Sequence, residues 1–244
     1  MPTALITGAS RGLGRALAGA LVAEGWSVVI DGRDSDSLEA ARGELAALGP
    51  GVTGGATAPG SVTAVAGDVA DPAHRRRLAE AIDESGGRLD ALVNNASGLG
   101  PSPLPPLAAY PLTALEELYR TNVFAPLALI QALLPALRRS QGRVINVTSD
   151  ASVEAYEGWG GYGSSKAALD ALSAVLGAEE PDVRVYAADP GDLRTDMHQA
   201  AFPGEDISDR PLPEVAVPGL RMLLGGDLPS GRYRVRDLAP GAES

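Results

Sequence analysis

The sequence has no cysteine, few aromatic residues and a deficit of positive charge. The missing cysteines exclude disulfides, thiol nucleophiles and thiolate metal sites. The formal net charge of -11 argues against a nucleic-acid partner, because binding a phosphate backbone requires a basic surface. Aromatic residues make up 4% of the chain and hydrophobic residues 45%. The core must therefore consist mainly of alanine, leucine and valine.

Long apolar runs are also missing. No run of about 18 apolar residues occurs, and strand-like residues begin at Thr3 with no charged-then-apolar leader before them. We therefore expect a cytoplasmic protein with no membrane partner. We expect residues 1–244 to form a single dinucleotide-binding and catalytic domain. His74 and His198 have no neighbouring metal ligands, so no metal site is predicted.

Lysine is nearly absent, since Lys166 is the only lysine among the 20 Lys and Arg residues. It follows Tyr162 by four residues, which places both side chains on one face of a helix. A fixed positive charge nearby lowers the pKa of a tyrosine from its usual value of about 10. Such a phenol can protonate a carbonyl oxygen while hydride reaches the carbon. The spacing alone favours a surface pair, whereas the solitary ammonium and the motifs below favour catalysis.

A glycine-rich segment follows the first apolar run, Ala4–Thr7. Gly8, Gly12 and Gly14 have the spacing G-x-x-x-G-x-G, and apolar residues then recur at helical intervals from Leu13. A strand, a glycine turn and a helix in this order direct backbone N–H groups and a helix N-terminus at a phosphate. The segment therefore predicts a dinucleotide site.

The second predicted strand, Trp26–Ile30, is followed by both acidic and basic residues. In a dinucleotide-binding fold this strand end meets the adenosine ribose. Arg33 there, together with Arg11 in the glycine turn, suits a 2′-phosphate and favours NADP(H) over NAD(H). Asp31 suits a free 2′-hydroxyl and favours NAD(H), unless it is a turn or cap residue.

Strands and helices alternate along the rest of the chain. The further predicted strands are Val62–Ala66, Ala91–Val93, Arg143–Val147 and Val183–Ala187, with a last strand within Gly231–Arg236. This order predicts an α/β fold: a Rossmann-type doubly wound parallel sheet of about seven strands with helices on both faces. Ligands of such a sheet bind beyond the carboxyl ends of its strands. Asp68 lies at one such end, where it would bind the adenine amino group or cap the helix that starts near Pro72.

Proline and glycine content sets the expectations for the connecting segments. Gly49–Ser61 is predicted to be a mobile surface loop, and Pro101–Pro111 an irregular segment beside the crevice. Pro126 should bend a long helix that runs from Leu112 to about Arg139 and free a carbonyl near Asn122. Residues 196–213 are expected to form a lid over the bound substrate.

Three further motifs follow predicted strands: Asn94-Asn95-Ala96, Ser149 and Pro190-Gly191-x-x-x-Thr195. Together with the glycine turn, Asp68, Asn122 and Tyr162-x-x-x-Lys166, they resemble the short-chain dehydrogenase/reductase family from about residue 3 to residue 195. The resemblance implies a nicotinamide cofactor and hydride transfer to or from a carbonyl or alcohol. It implies that Tyr162 is the general acid/base and that Lys166 lowers its pKa and binds the nicotinamide ribose. It further implies that Ser149 orients the substrate oxygen and that Asn122 holds a water in a proton relay. The implied cofactor-binding residues are Gly8, Ser10, Arg11, Gly12, Leu13, Gly14, Arg33, Asp68, Val69, Asn95, Ala96, Tyr162, Lys166, Pro190, Gly191 and Thr195.

Two positions depart from the family pattern. Ser97 stands where the family often has glycine after Asn-Asn-Ala, and Gly231–Arg236 lacks the usual glycine-rich ending. The second departure weakens the case for the family's tetramer contacts. A homodimer through the helices that carry Asn122 and Tyr162 is expected, with a homotetramer as the alternative.

The expected function is an NADP(H)-dependent ketoreductase or alcohol dehydrogenase acting on a small molecule. One alternative is an enzyme of the same fold that prefers NAD(H) or catalyses isomerisation or dehydration. The other is a non-catalytic dinucleotide-sensing module, which would have little use for a Ser/Tyr/Lys set. Substrate choice is expected to depend on the residues from Asp150 onward, on Glu154–Trp159 and on the loop Met197–Pro213. Trp159 and Phe202 either flank the substrate or pack in the core, and the acids either recognise a cation or solvate their loop.

Overall fold

A computed structural model describes residues 1–49 and 60–238. Most of the predicted loop Gly49–Ser61 lies outside the described residues. The strands are β1 Thr3–Ile6, β2 Ser27–Gly32, β3 Val62–Ala66, β4 Ala91–Asn94, β5 Arg143–Val147, β6 Arg184–Asp189 and β7 Gly231–Arg234. The helices are α1 Gly12–Ala23, α2 Ser35–Ala46, α3 Pro72–Glu84, α4 Leu112–Tyr119, α5 Ala125–Ser140, α6 Gly160–Glu179, α7 Asp196–Ala201 and α8 Val217–Gly225.

The seven strands form one sheet in the order β3-β2-β1-β4-β5-β6-β7, and every neighbouring pair is parallel. Strand order reverses between β1 and β4, where Ile6 lies beside both Ile30 of β2 and Val93 of β4. This switch point opens a crevice at the carboxyl ends of the strands. The predicted doubly wound parallel fold is confirmed.

Helices cover both faces of the sheet because side chains alternate along each strand. In β1, Ala4 and Ile6 pack with apolar residues of α1 and α8, while Leu5 packs on the other face with α3 and α5. Leu17 of α1 and Leu133 of α5 are almost fully buried on opposite faces. The two cores hold the strands, and hence their polar carboxyl ends, in fixed register.

Element boundaries differ from the predictions where pairing extends a strand. β2 runs to Gly32 rather than Ile30, because β3 pairs with it as far as Gly32 opposite Ala66. β6 is Arg184–Asp189 rather than Val183–Ala187, and the last strand ends at Arg234 before a 3-10 turn, Val235–Leu238. The sequence-based prediction did not include α8.

The long helix predicted from Leu112 is continuous to Ser140 but contains a π-helical segment, Arg120–Phe124, between α4 and α5. The amide of Ala125 bonds to the carbonyl of Arg120, five residues back. The 29-residue stretch is long and apolar enough to cross a membrane, but half of its most apolar window is buried inside the protein. Since α5 packs on α3 and β4, this burial is that of a core helix.

Candidate active site

A cleft of about 1490 Å³ lies at the carboxyl ends of the central strands. It is lined by every predicted cofactor-binding residue except Gly14, and by every predicted catalytic residue except Asn122. The cleft therefore has both ends of the expected site: a glycine turn at the β1/β2 side and the Ser/Tyr/Lys group at the β5/β6 side.

The glycine turn between β1 and α1 needs glycine for two separate reasons. Gly8 and Gly12 have φ angles of 64° and 59°, in the left-handed region that side chains rarely adopt. A Cβ at Gly14 would lie 2.6 Å from the side-chain nitrogen of Asn95 and 2.7 Å from the carbonyl oxygen of Gly8. The turn leads into the N-terminus of α1, where free N–H groups favour an anion.

Asn95 and Thr7 hold this turn against the end of β4. The Asn95 amide donates to the carbonyl of Thr7 at 2.8 Å and to that of Gly8 at 3.0 Å. The Thr7 hydroxyl accepts from the main-chain N–H groups of Asn95 and Ala96, both at 3.0 Å. The side chain of Asn95 is thus used to shape the turn.

At the adenosine end, Asp31 has both carboxylate oxygens engaged. It is 1% exposed, and it accepts from the Gly8 main chain at 2.6 Å and lies 2.9 Å from His74 Nε2. His74 is also fully buried, and its other ring nitrogen lies 3.1 Å from Arg77 Nη2. Asp31 also lines the cleft, but each of its carboxylate oxygens already has a partner within the protein. The bond to Gly8 N is of the kind expected for its alternative role as a turn residue.

The two residues after Asp31 differ from each other in exposure. Gly32 packs against the glycine turn, and a Cβ at this position would lie 3.2 Å from the side chain of Ser10. Arg33 is exposed and lines the cleft. Asp68 is exposed there too, and one of its oxygens accepts from Ala70 N at 2.8 Å, whereas the cap of α3 is Asp71.

Arg11 also lines the cleft and pairs with an acidic residue of the segment after β6. Its guanidinium is 2.8 Å from Asp196 at the start of α7, and both side chains are largely exposed. Such an exposed pair contributes little stability. Arg11 therefore remains available to an anion that binds at the turn.

Tyr162 lies in the first turns of α6 and is almost fully buried. Burial raises the pKa of the Tyr162 phenol, and the hydrogen-bonding hydroxyls of Ser97 and Ser149 oppose that increase. This differs from the predicted lowering by Lys166. Removing the phenolate from water outweighs the other effects in the folded protein.

Lys166 lies one helical turn beyond Tyr162, with its Nζ 5.5 Å from the centre of the phenol ring. It is 2% exposed and donates to the carbonyl of Val147 in β5 at 2.8 Å. Burial lowers the pKa of Lys166 to about 8, and the carboxylate of Asp170 opposes the decrease. The side chain is still mostly protonated at neutral pH, so a buried positive charge lies beside the phenol.

Ser149 follows β5 and is the third member of the Ser/Tyr/Lys group. Its hydroxyl donates to Asp150 Oδ1 at 2.9 Å, and the same hydroxyl accepts from Ala151 N at 3.2 Å. To orient a substrate oxygen, the hydroxyl hydrogen must therefore rotate away from Asp150.

Asn122 lies in the π-helical segment behind this group rather than in the cleft lining. Its amide bonds to Gly98 N at 2.8 Å, Gly98 O at 2.9 Å and Ser165 Oγ at 3.0 Å. Since Pro126 has no N–H group, it cannot bond to the main-chain carbonyl of Asn122. The side chain of Asn122 holds the loop after β4.

Sequence reasoning missed two residues of the site, Ser97 and Arg232. The hydroxyl of Ser97 donates to Asn122 Oδ1 at 3.2 Å and interacts with the Tyr162 phenol. The sequence feature that could have identified Ser97 is the presence of serine at a position where the family often has glycine. Arg232 donates to the carbonyl of Ser149 at 3.0 Å. Because the two residues are 83 positions apart in sequence, no local sequence pattern could predict this contact.

The substrate end of the cleft combines aromatic and acidic groups. Trp159 packs edge-on against Tyr162, with ring centres 5.7 Å apart, and lies 6.0 Å from Phe202 in the segment after α7. Opposite them, the Tyr156 hydroxyl lies 3.0 Å from both Asp150 and Glu154, and the bond to Asp150 contributes most to raising the pKa of Tyr156 to about 12. Within residues 1–49 and 60–238, no cluster of His, Asp and Glu could hold a metal ion.

These residues fit a nicotinamide dinucleotide. A glycine turn, the N-terminus of α1 and one cleft lined both by that turn and by the Tyr162/Lys166 pair are the features that such a ligand requires. Its reactive ring would reach Tyr162 and Lys166 at the other end.

Comparisons with known proteins agree with this geometry. A family model described as short chain dehydrogenase matches residues 2–206. The chain is 39% identical over 182 residues to a rhamnolipids biosynthesis 3-oxoacyl-[acyl-carrier-protein] reductase of Pseudomonas aeruginosa, covering 72% of this chain and 66% of that protein. It is 35% identical over 207 residues to the sepiapterin reductase of Mus musculus, covering 81% and 76%.

A solved structure gives the same result. A short chain dehydrogenase from Escherichia coli CFT073, complexed with NADPH, superposes with a TM-score of 0.84 at 27% identity and 96% coverage of both chains. The match over most of the chain and the parallel seven-stranded sheet identify this protein as a member of the short-chain dehydrogenase/reductase family of oxidoreductases.

Proposed function

We propose that this protein is an NADP(H)-dependent oxidoreductase that reduces a small-molecule carbonyl to an alcohol, or catalyses the reverse. The observation that carries the proposal is the convergence of Ser149, Tyr162 and Lys166 in one cleft with the glycine turn at its far end. A sensing module would have no need for a buried lysine beside a buried phenol, because burying each of them costs free energy.

The cofactor would lie between the two ends of the cleft. The turn from Gly8 to Gly14 and the N-terminus of α1 would hold the pyrophosphate, and Lys166 would bind the nicotinamide ribose. When bound, the reduced nicotinamide supplies the hydride that adds to the carbonyl carbon.

The protein's own groups handle the proton. Ser149 would turn its hydroxyl from Asp150 to the substrate oxygen, and Tyr162 would transfer its phenolic proton to that oxygen as charge develops there. The ammonium of Lys166 would stabilise the phenolate that remains, until solvent returns a proton through the Asn122 region. The reverse reaction would use the phenolate as the base.

NADP(H) is favoured over NAD(H) by the environment of the β2 end. Asp31 is committed to Gly8 and His74, Gly32 offers no carboxylate, and Arg33 is exposed at the cleft. An arginine fork suits a 2′-phosphate. The structural neighbour complexed with NADPH supports the same choice, and the two reductases among the relatives support carbonyl reduction.

The proposal also includes a substrate lid at residues 196–213. Met197 and Ala201 of α7 pack against the cluster that contains Leu99, Ala151 and Tyr162. The segment therefore contacts the catalytic side chain that a substrate would approach, and its closure would exclude water from the reacting atoms. Residues 1–244 would act as one domain in the cytoplasm, as a homodimer or homotetramer.

The test of catalysis is NADPH oxidation over a panel of ketones and aldehydes. Tyr162→Phe keeps the ring and removes the proton, so we expect a loss of at least about 100-fold in kcat. Tyr119→Phe, outside the cleft, is the matched control and should keep full activity. Equal rates for wild type and Tyr162→Phe would remove the basis of the enzyme proposal.

The test of cofactor choice is the affinity for NADPH and NADH in the same assay. Arg33→Ala should raise the Kd for NADPH by about 10-fold or more while leaving the Kd for NADH nearly unchanged. Arg42→Ala, on the exposed face of α2, is the control. If wild type binds NADPH no more tightly than NADH, the assignment of Arg33 is wrong.

A further inference from the structure

The side chain of Arg232 joins three elements behind the candidate active site. It extends from β7 and is 26% exposed. Its Nη2 donates to Ser149 O at 3.0 Å and to Asp189 Oδ2 at 3.1 Å, and its Nε donates to Asp170 Oδ2 at 3.1 Å. The three acceptors lie after β5, at the end of β6 and in α6, so one guanidinium cross-links the elements that carry the catalytic group.

The main chain at Ser149 has a second support from the same cluster. Ser152 Oγ lies 2.7 Å from the carbonyl of Ser149 and 2.6 Å from Asp170 Oδ2. The carbonyl of Ser149 therefore receives contacts from both Arg232 and Ser152. Fixing this carbonyl fixes the direction from which the Ser149 hydroxyl reaches the cleft.

The Tyr162/Lys166 pair has more carboxylates than cations around it. Among the described residues, the ionisable groups that face the Tyr162/Lys166 site are Asp170 and Tyr162 itself from α6, Asp150 after β5, Asp189 at the end of β6 and Arg232 of β7. Asp170 follows Lys166 by one helical turn and raises its pKa against the effect of burial. Arg232 pairs with two of the three carboxylates and so offsets their charge.

Stability alone does not account for this cluster. Asp170 Oδ1 is buried and has no hydrogen-bond partner within the part of the chain that the structure describes. Leaving such an oxygen unpaired costs free energy, and buried ion pairs often give no net stability. The arrangement has a clearer consequence for charge and geometry at the neighbouring catalytic groups.

We propose that Arg232 is a positioning residue of the active site, which fixes the main chain at Ser149 and shields Lys166 from the carboxylate of Asp170. Calling Ser149 and Lys166 catalytic rests on the proposed function. The shielding itself is a property of the folded protein, and it can be measured without cofactor or substrate.

The experiment uses the fact that Lys166 is the only lysine. Protein grown with lysine carrying 13C at the ε carbon gives one side-chain NMR signal, whose chemical shift reports the protonation of Lys166 as pH is varied. Arg232→Gln should move the titration midpoint up by roughly half a unit or more, because the carboxylate of Asp170 is then unshielded. Asp170→Asn should move it down, and the double variant should return it toward the wild-type value.

Arg221→Gln is the matched control, since Arg221 pairs with Glu24 on a distant surface. It should leave the midpoint unchanged. If Arg232 had only a structural role, Arg232→Gln would be less stable but would have the same Lys166 titration midpoint as Arg221→Gln. That result would overturn the proposal. If Arg232→Gln does not fold, an unchanged midpoint in Asp170→Asn would overturn it equally.

Kinetics give a second readout once a substrate is known. Arg232→Gln should lower kcat by roughly 10-fold or more, because Ser149 loses its fixed position, while the KM for NADPH stays near that of Arg221→Gln. A change in that KM alone would contradict the proposal. Absence of turnover in wild type would refute the proposed function and leave the NMR result intact.

Discussion

At the residue scale, two serine hydroxyls from different parts of the chain flank the Tyr162 phenol. Ser149 follows β5, and Ser97 lies in the loop after β4, where it also bonds to Asn122 Oδ1 at 3.2 Å. Both hydroxyls lower the pKa of Tyr162 against the raising effect of burial, Ser97 more than Ser149. Ser97 thus connects the phenol with the asparagine of the expected proton relay.

Replacing Ser97 with glycine should slow turnover and move its pH dependence. Without the hydroxyl the pKa of Tyr162 rises further, so alcohol oxidation, which uses the phenolate, should shift to higher pH. We expect kcat to fall by about 10-fold with the KM for the cofactor unchanged. The measurement is the pH profile of NADP+ reduction by an alcohol.

Ser97→Ala separates the hydroxyl from the backbone. Alanine restricts the backbone of the loop more than glycine does, but both residues lack the hydroxyl. The pH profiles of the two variants should therefore coincide. A profile like that of wild type in either variant would rule out this role for Ser97.

At the element scale, the fit of α6 against the turn after β5 determines where Ser149 lies. Gly163 faces the turn Asp150–Ser152, and a Cβ at this position would lie 2.5 Å from the carbonyl oxygen of Ala151. Because that atom belongs to the backbone, the helix or the turn would have to move. The glycine next to Tyr162 is thus a packing requirement of the candidate site.

Gly163→Ala should lower the free energy of unfolding by about 1–3 kcal/mol and reduce turnover through displacement of Ser149. The control is Gly43→Ala in α2, where a Cβ would meet nothing within 4 Å. That variant should instead be more stable by about 0.4–1 kcal/mol, because alanine favours a helix. Urea unfolding measures both, and equal effects at the two positions would contradict the packing argument.

At the scale of the whole molecule, the buried Lys166 links stability to pH. Its pKa is about 8 in the folded protein against 10.5 normally. Between these values the unfolded chain binds more protons than the folded protein, so stability rises as pH increases. Above about pH 10 the raised pKa of Tyr162 acts in the opposite direction, because only the unfolded phenol ionises there.

Lys166→Met removes the lysine contribution. The stability of wild type relative to this variant should therefore increase between about pH 7 and about pH 9.5, by an amount on the order of 2 kcal/mol. Urea unfolding at the two pH values gives the difference. If the difference in unfolding free energy between wild type and Lys166→Met is the same at both pH values, the pKa of Lys166 is not lowered in the folded protein.

Local sequence determined the elements and most of the cleft lining. Periods of two and 3.6 residues, a glycine turn and polar strand ends each depend on residues within a few positions of one another. For this reason Gly8–Gly14, Ser149 and the Tyr162/Lys166 spacing could be recognised without the fold, and the doubly wound sheet could be predicted from their order.

Tertiary structure alone decided where charges lie and what they contact. Asp31 has the chemistry of a ribose ligand and lines the cleft, yet one of its carboxylate oxygens is taken up by His74 and the other by the main chain of Gly8. The pKa of Tyr162 goes up rather than down because desolvation depends on everything packed around the phenol. Arg232 reaches Ser149 only because β7 lies beside β6 in the sheet. Burial and long-range pairing depend on the path of the whole chain, so no short stretch of residues could specify them.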